Sequence, residues 1–243
     1  GVYADIRNDV AAMQVPDEHG KMRPLTAKEM EAEVARRNMD VEAKYDARYG
    51  SPDDQESALR SAYNSELSGP TLDLANALAD NDLAAADAAR LEQEKQGILY
   101  ADDDVINGVL ENQYNRSLDA LKRDPVWRAK REAIQEQARN EGWDPYRLAA
   151  AERALDREMD TAAIEGGKEN MAKLEATYDT KYSRWGKGGL DAMIVYNMSG
   201  TDREKAQALR KQGGHLTRAQ RVDFATRGSG TDEEDFKRAT EGL

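Results

Sequence analysis

Slid against itself by 131 positions, the chain matches itself without a gap over about 45 residues, and this repetition constrains its fold more than any other feature. Leu59 falls on Leu190, Ser68-Gly69 on Ser199-Gly200, and Ala75, Ala77 and Leu78 on Ala206, Ala208 and Leu209. Ala88 falls on Ala219, Gly97 on Gly228 and Asp104 on Asp235. Just upstream the offset becomes 133, with Tyr45-Asp46 on Tyr178-Asp179 and Tyr49 on Tyr182, so a two-residue difference sits in the loop between. Isolated Ala matches arise by chance in so Ala-rich a chain. Gly and Tyr matches in register are much rarer coincidences.

The repeated unit is helical. Helix starts are written as a hydroxyl or carboxylate residue that can cap free amides, followed by Pro in the first turn or by Glu or Gln three residues on. Such starts are Thr26 with Glu29, Ser51 with Pro52, Asp124 with Pro125, Asp144 with Pro145, Thr201 with Glu204, Thr217 with Gln220 and Thr231 with Glu234. Between them apolar residues recur at helical spacing, as in Leu59, Ala62, Tyr63 and Leu67, or Ile106, Val109, Leu110 and Tyr114. No segment alternates as a strand. Gly50, Gly69, Gly97, Gly166-Gly167, Gly186, Gly188-Gly189 and Gly213-Gly214 are expected to mark stops between helices.

Composition agrees: 39% hydrophobic and 34% charged, with many Ala, Glu, Lys, Arg and Leu and only 2 Phe, is the profile of amphipathic helices. The excess of 47 acidic over 35 basic residues, a formal charge of -12, repels nucleic acid and any anionic membrane unless a cation intervenes. The absence of Cys excludes disulfides and thiolate chemistry without fixing the compartment. No apolar run approaches the roughly 20 residues of a spanning helix, and no signal-peptide pattern opens the chain. The chain starts at Gly1-Val2-Tyr3 and stops at Glu241-Gly242-Leu243 just after a helical pattern begins, so it reads as a soluble fragment of a longer polypeptide, with localisation left open.

Gly228-Ser229-Gly230-Thr231-Asp232-Glu233 resembles the Gly-x-Gly-Thr-Asp-Glu opening of an annexin repeat. Tyr45-Asp46-Ala47-Arg48-Tyr49-Gly50, followed by Ser65-Glu66-Leu67-Ser68-Gly69, is similar to the stretch that closes one, and residues 178–200 are a looser second copy. The resemblance covers roughly residues 26–105 and 171–243 and implies an all-α, elongated array of five-helix, degenerate bacterial annexin-like units. Residues 1–105 then hold the closing part of one repeat and the opening of the next. Residues 106–170, with Trp127 and Trp143, hold an inserted helical hairpin. Residues 171–243 close the second repeat and open a third.

In that family Ca²⁺ is held by carbonyls of the Gly-x-Gly-Thr loop and a carboxylate in the later Glu-Leu-Ser-Gly stretch, and it bridges to lipid phosphate. A hard cation wants 6 to 8 oxygen ligands, and glycines let carbonyls converge. The resemblance therefore places metal-ligand candidates at Gly228, Gly230, Thr231 and Glu66. The pieces are incomplete. The middle loop reads Gly97-Ile98-Leu99-Tyr100-Ala101, with Asn197 at the carboxylate position; the loop for Glu66 would precede Gly1, and the carboxylate for Gly228 to Thr231 would follow Leu243. The expectation is no cofactor, with Ca²⁺ as the alternative.

Other signals have structural readings. Asp102-Asp103-Asp104 fails the spacing of an EF-hand and suits a helix N-terminus. The cluster Arg116, Lys122, Arg123, Arg128, Lys130 and Arg131 around Trp127 is interleaved with Asp119, Asp124 and Glu132, as on a solvated helix face with an aromatic anchor. His19 and His215, each beside Gly, are expected in turns. Tyr45 with Tyr49 and Tyr178 with Tyr182 share a helix face in each copy, which argues for packing and a hydroxyl partner. Trp127, Trp143 and Trp185 are the candidates for an interface. The chain is thus expected to be a non-enzymatic scaffold or docking module of a larger bacterial, exported or toxin-associated protein. It would bind a protein partner or other domains of its own polypeptide, not nucleic acid, and a membrane only through Ca²⁺. The alternatives are a Ca²⁺-dependent phospholipid-surface module and a helical hydrolase using acidic residues, for which no carboxylate pair stands out.

Overall fold

The computed structural model describes residues 2–51, 56–96, 102–183, 188–227 and 237. Among these the chain is all-α, with eleven helices and one two-stranded ribbon. In chain order they are α1 (Val2–Ala11), β1 (Gln14–Pro16), β2 (Met22–Pro24), α2 (Ala27–Tyr49), α3 (Ala58–Glu66), α4 (Gly69–Ala79) and α5 (Leu83–Lys95). Then follow α6 (Asp103–Arg123), α7 (Pro125–Glu141), α8 (Pro145–Tyr182), α9 (Leu190–Asn197), α10 (Gly200–Lys211) and α11 (Arg218–Arg227). The chain divides into two compact units, one of residues 1–89 with 119–159 and one of residues 90–118 with 160–243.

In the first unit α2 begins with a complete capping box: the Thr26 hydroxyl accepts from the Glu29 amide at 3.3 Å, and the Glu29 carboxylate accepts from the Thr26 amide at 2.8 Å. Two hydrogen bonds from Arg23 hold the same carboxylate and lower its pKa to about 2. The apolar faces of α1 to α4 meet in a cluster of Tyr3, Leu59 and Ala79, ringed by Ile6, Val41, Tyr45 and Tyr63; Val10, Leu25 and Val34 form a second. Buried Asn38 on α2 donates to the carbonyls of Leu78 and Ala79 at 3.0 and 3.1 Å, which ties α2 to the C-terminal end of α4. Helix α7 runs antiparallel to the first half of α8, joined by Lys130–Glu158, Arg131–Asp156 and Gln135–Glu152. Asp124 and Asp144 cap these two helices, each just before its Pro.

The second unit buries Leu91, Ile106, Leu110, Leu174, Tyr178, Leu190, Ile194 and Leu209. Within it the hydroxyl of Tyr178 donates to Glu92 at 2.8 Å, so a carboxylate only 6% exposed meets a hydroxyl partner. The Asp102 carboxylate accepts from the amides of Asp104 and Val105, capping α6 as the acidic run suggested.

Three local expectations change. The ribbon β1–β2 was not expected from the sequence; its turn closes because the Asp17 carboxylate accepts from the His19 and Lys21 amides, both at 2.9 Å. Thr201 does not start α10; the helix begins at Gly200 with Ser199 ahead of it. The start read at Ser51-Pro52 runs into residues outside those described, and α3, the next helix, is capped by Ser57. Gly166 and Gly167 do not end a helix but lie inside the 38 residues of α8. A Cβ on Gly167 would collide with the Gly213 carbonyl, and one on Gly166 with the Ser117 hydroxyl, so these glycines permit contact where they were expected to stop a helix.

Gly108, by contrast, has open space around the place a Cβ would take within α6. Gly108→Ala should therefore raise stability by about 0.5–1 kcal/mol through helix propensity. Gly167→Ala should lower it by about 1–3 kcal/mol despite the same propensity gain. Chemical denaturation of the two variants measures both signs.

Candidate functional site

The repeated junctions have the same backbone. Leu67 and Met198, each the C-terminal cap of a short helix, both have φ -116° and ψ 156°. Ser68 (φ -147°, ψ 160°) and Ser199 (φ -140°, ψ 165°) are both extended, and Gly69 and Gly200 follow at φ 56° and 55°, a left-handed conformation that favours Gly. Upstream, the Asp46 carboxylate accepts from the Leu59 amide at 3.2 Å and the Ser57 hydroxyl at 3.0 Å. Its counterpart Asp179 accepts from the Leu190 amide at 2.9 Å, and its carboxylate fills the space a side chain at Gly189 would need. One long helix thus holds the start of the next short one in each copy.

Glu66 is the exposed last residue of α3, next to its junction. Its counterpart Asn197 donates its amide back to the Met193 carbonyl at 2.7 Å. Gly228, Gly230 and Thr231, the loop at 97–101, Trp185 and the Thr231–Glu234 box lie outside the described residues. Among the described residues no three His, Cys, Asp or Glu side chains gather as a metal ion would need.

Trp127 and Trp143 are half-buried, and each carries a cation over its ring: Lys130 at 4.3 Å and Arg147 at 4.1 Å from the centroid. Trp143 also donates to Glu141 at 2.7 Å, and hydrogen bonds from Gln137 and Trp143 hold that carboxyl below its ordinary range. Trp127 lies in the first turn of α7 and Trp143 two residues past its last, so they mark opposite ends of that helix. Tyr146, 87% exposed, extends the Trp143 end, and exposed Val126 the Trp127 end.

The second unit contains a titratable cluster that sequence reasoning missed. The Tyr114 hydroxyl donates to Asp160, and the His215 ring packs 5.0 Å from the Tyr114 ring. Arg221 pairs with Glu111 at 2.5 Å alongside. Burial, followed by the hydrogen bond to Asp160, pushes the Tyr114 hydroxyl far above its ordinary pKa. Burial lowers that of His215; Arg221 acts in the same direction, while Asp160 and Glu111 oppose it. His215 does occupy the turn expected of it, yet nothing local to Gly213-Gly214-His215 announces partners on α6, α8 and α11. Sequence-distant contacts of this kind leave no periodic signal.

Compared with protein-family models and with curated proteins, the sequence matches none. Among the described residues no helix is long and apolar enough to cross a membrane.

The cluster predicts a pH dependence. Because the native state holds His215 neutral to lower pH than the unfolded chain does, the unfolded chain binds the proton first as pH falls. Stability from this group is complete above the ordinary histidine value of about 6.5 and declines as pH drops through it toward the lower native value. Thermal unfolding followed from about pH 7.5 to 5.5 should show a falling Tm, and His215→Gln should flatten that slope.

Proposed function

We propose that this chain is a structural and interaction module, made of degenerate annexin-like helical repeats, within a larger bacterial protein of exported or toxin-associated kind. The observation that carries this reading is the duplicated junction: the same Asp latch, extended Ser and left-handed Gly occur at residues 46–69 and 179–200. A repeated unit whose shared Asp, Ser and Gly set the start and turn of successive short helices suits a scaffold. The half-buried tryptophans and exposed Tyr146 on α7 and α8 are the contact points we assign to a protein partner or to other domains of the same polypeptide. The formal charge of -12 disfavours nucleic acid. We read the module as non-catalytic and cofactor-free.

A second reading, a Ca²⁺-dependent module at phospholipid surfaces, draws on exposed Glu66 beside the Ser68-Gly69 turn. The two diverge in one experiment. A ligand at about a hundred times its Kd adds about 2.7 kcal/mol to the stability of the fold that binds it. For a scaffold, the Tm in millimolar Ca²⁺ should equal that in chelator, and the chain should stay in the supernatant of phosphatidylserine vesicles sedimented with Ca²⁺. A raised Tm together with Ca²⁺-dependent sedimentation would replace the scaffold reading with the membrane one.

A further inference from the structure

The turn from α6 into α7 gathers cations that the fold leaves without a countercharge. Lys122 and Arg123 end α6, Asp124 is the single residue between the helices, and Arg128 is the fourth residue of α7. The Arg128 amide donates to the Asp124 carbonyl at 3.3 Å, so Arg128 stands one turn from the neighbour of Arg123, near enough for two long side chains to hold one small ion. Farther along α7, Lys130 and Arg131 pair with Glu158 and Asp156 at 2.6 and 2.5 Å. The side chains of Arg123 and Arg128, both half-buried, have no such partner among the described residues. A guanidinium nitrogen of each, Nη1 of Arg123 and Nε of Arg128, is closed off from water with no acceptor.

The acids within reach are not used. Asp119 lies one turn before Arg123, the spacing at which an aspartate and an arginine pair on a helix, yet it is exposed and makes no bond to Arg123. Glu132, one turn after Arg128, is taken by Lys21 at 3.1 Å, and Asp124 accepts from the Val126 amide at 2.7 Å as the cap of α7. Lys122 and Arg123 complement the C-terminus of α6, which accounts for cations there; Arg128, near the N-terminus of α7, lies at the unfavourable end of the helix dipole. A charged group partly withdrawn from water with no acceptor costs stability, and an anion on the open side of the two guanidinium groups would offset that cost.

We infer that Arg123 and Arg128, with Lys122 beside them, form a site for a small phosphate-class oxyanion, either free phosphate or a soluble phosphate monoester. The planar fork of a guanidinium matches phosphate oxygens two at a time, and two forks with an ammonium suit a dianion better than the single charge of a carboxylate. The small size follows from the charge on the rest of the chain. At physiological salt a charge is felt over about 8 Å, so an ion at this turn meets three cations against Asp119 and Asp124. A membrane or a polynucleotide would instead meet a surface whose formal charge is -12.

The test titrates the full chain with inorganic phosphate in a calorimeter, sodium chloride holding the ionic strength constant. The parent should bind one phosphate saturably in the millimolar range or tighter. Arg123→Gln and Arg128→Gln should each weaken binding about tenfold or more, the usual loss for a hydrogen bond between charged groups. Arg139→Gln removes the same charge from an exposed position in the last turn of α7 and should leave the affinity unchanged. Arg128→Lys keeps the charge but loses the fork; it should fall between the parent and Arg128→Gln, a ranking that damage to the fold alone does not produce. In sedimentation with phosphatidic acid vesicles the parent should stay in the supernatant. Absence of saturable phosphate binding would overturn the site, as would an equal loss in Arg139→Gln. Binding to the vesicles without binding to the free ion would overturn the small-anion assignment.

Discussion

A carboxylate on a long helix that captures a free amide at the start of the next short helix is the contact from which the rest of each unit follows. Asp46 and Asp179 each do this through one oxygen. A helix N-terminus leaves amides unpaired, and hydrogen bonds to a charged acceptor contribute about 1.5–3 kcal/mol. The bond also fixes where α3 and α9 begin relative to α2 and α8, which sets where Leu59 and Leu190 enter the core. The extended Ser and left-handed Gly then turn the chain into the next helix over a span too short for other routes. Without the carboxylate that turn would have no fixed starting point.

The remaining polar contacts in the interior have a similar logic. Glu92 is nearly buried and meets the Tyr178 hydroxyl; Asn38 serves two carbonyls at the end of α4. An unpaired polar group in such a place costs more than the bond returns, so these pairs specify geometry more than they add stability. Glycines complement them by removing volume. Gly166 and Gly167 lie against Ser117 and the Gly213 carbonyl, a spacing any side chain would forbid. Alanines in α4 and α5 act alike, with Ala77, Ala85 and Ala86 in mutual contact.

The residues shared by the two copies are engaged in holding their own helices together. Two of the three tryptophans expected at an interface, Trp127 and Trp143, already lie under Lys130 and Arg147, which pre-orders them at little further entropic cost. The Tyr114–Asp160–His215 cluster introduces a pH-sensitive element where α6, α8 and the turn before α11 meet. Burial disfavours the charged imidazole there, and the neighbouring charges pull it both ways.

Much of the fold was legible in the sequence because helices announce themselves locally. Thr26 with Glu29, Asp124 with Pro125 and Thr217 with Gln220 act within one turn, so spacing alone places them. The tyrosine pairs meet where the i, i+4 rule puts them, their tilted rings 4.7 and 5.5 Å apart. The ribbon β1–β2 escaped notice because three-residue strands show no alternation. Gly166-Gly167 was misread because glycine looks the same whether it ends a helix or admits a neighbour, and only the approach of Gly213 distinguishes the two. The helical class, the repeat and most caps were therefore determined by the sequence itself, through interactions that span a few residues. The Tyr114–Asp160–His215 cluster was decided by tertiary structure alone, because its members lie far apart along the chain and only packing brings them together.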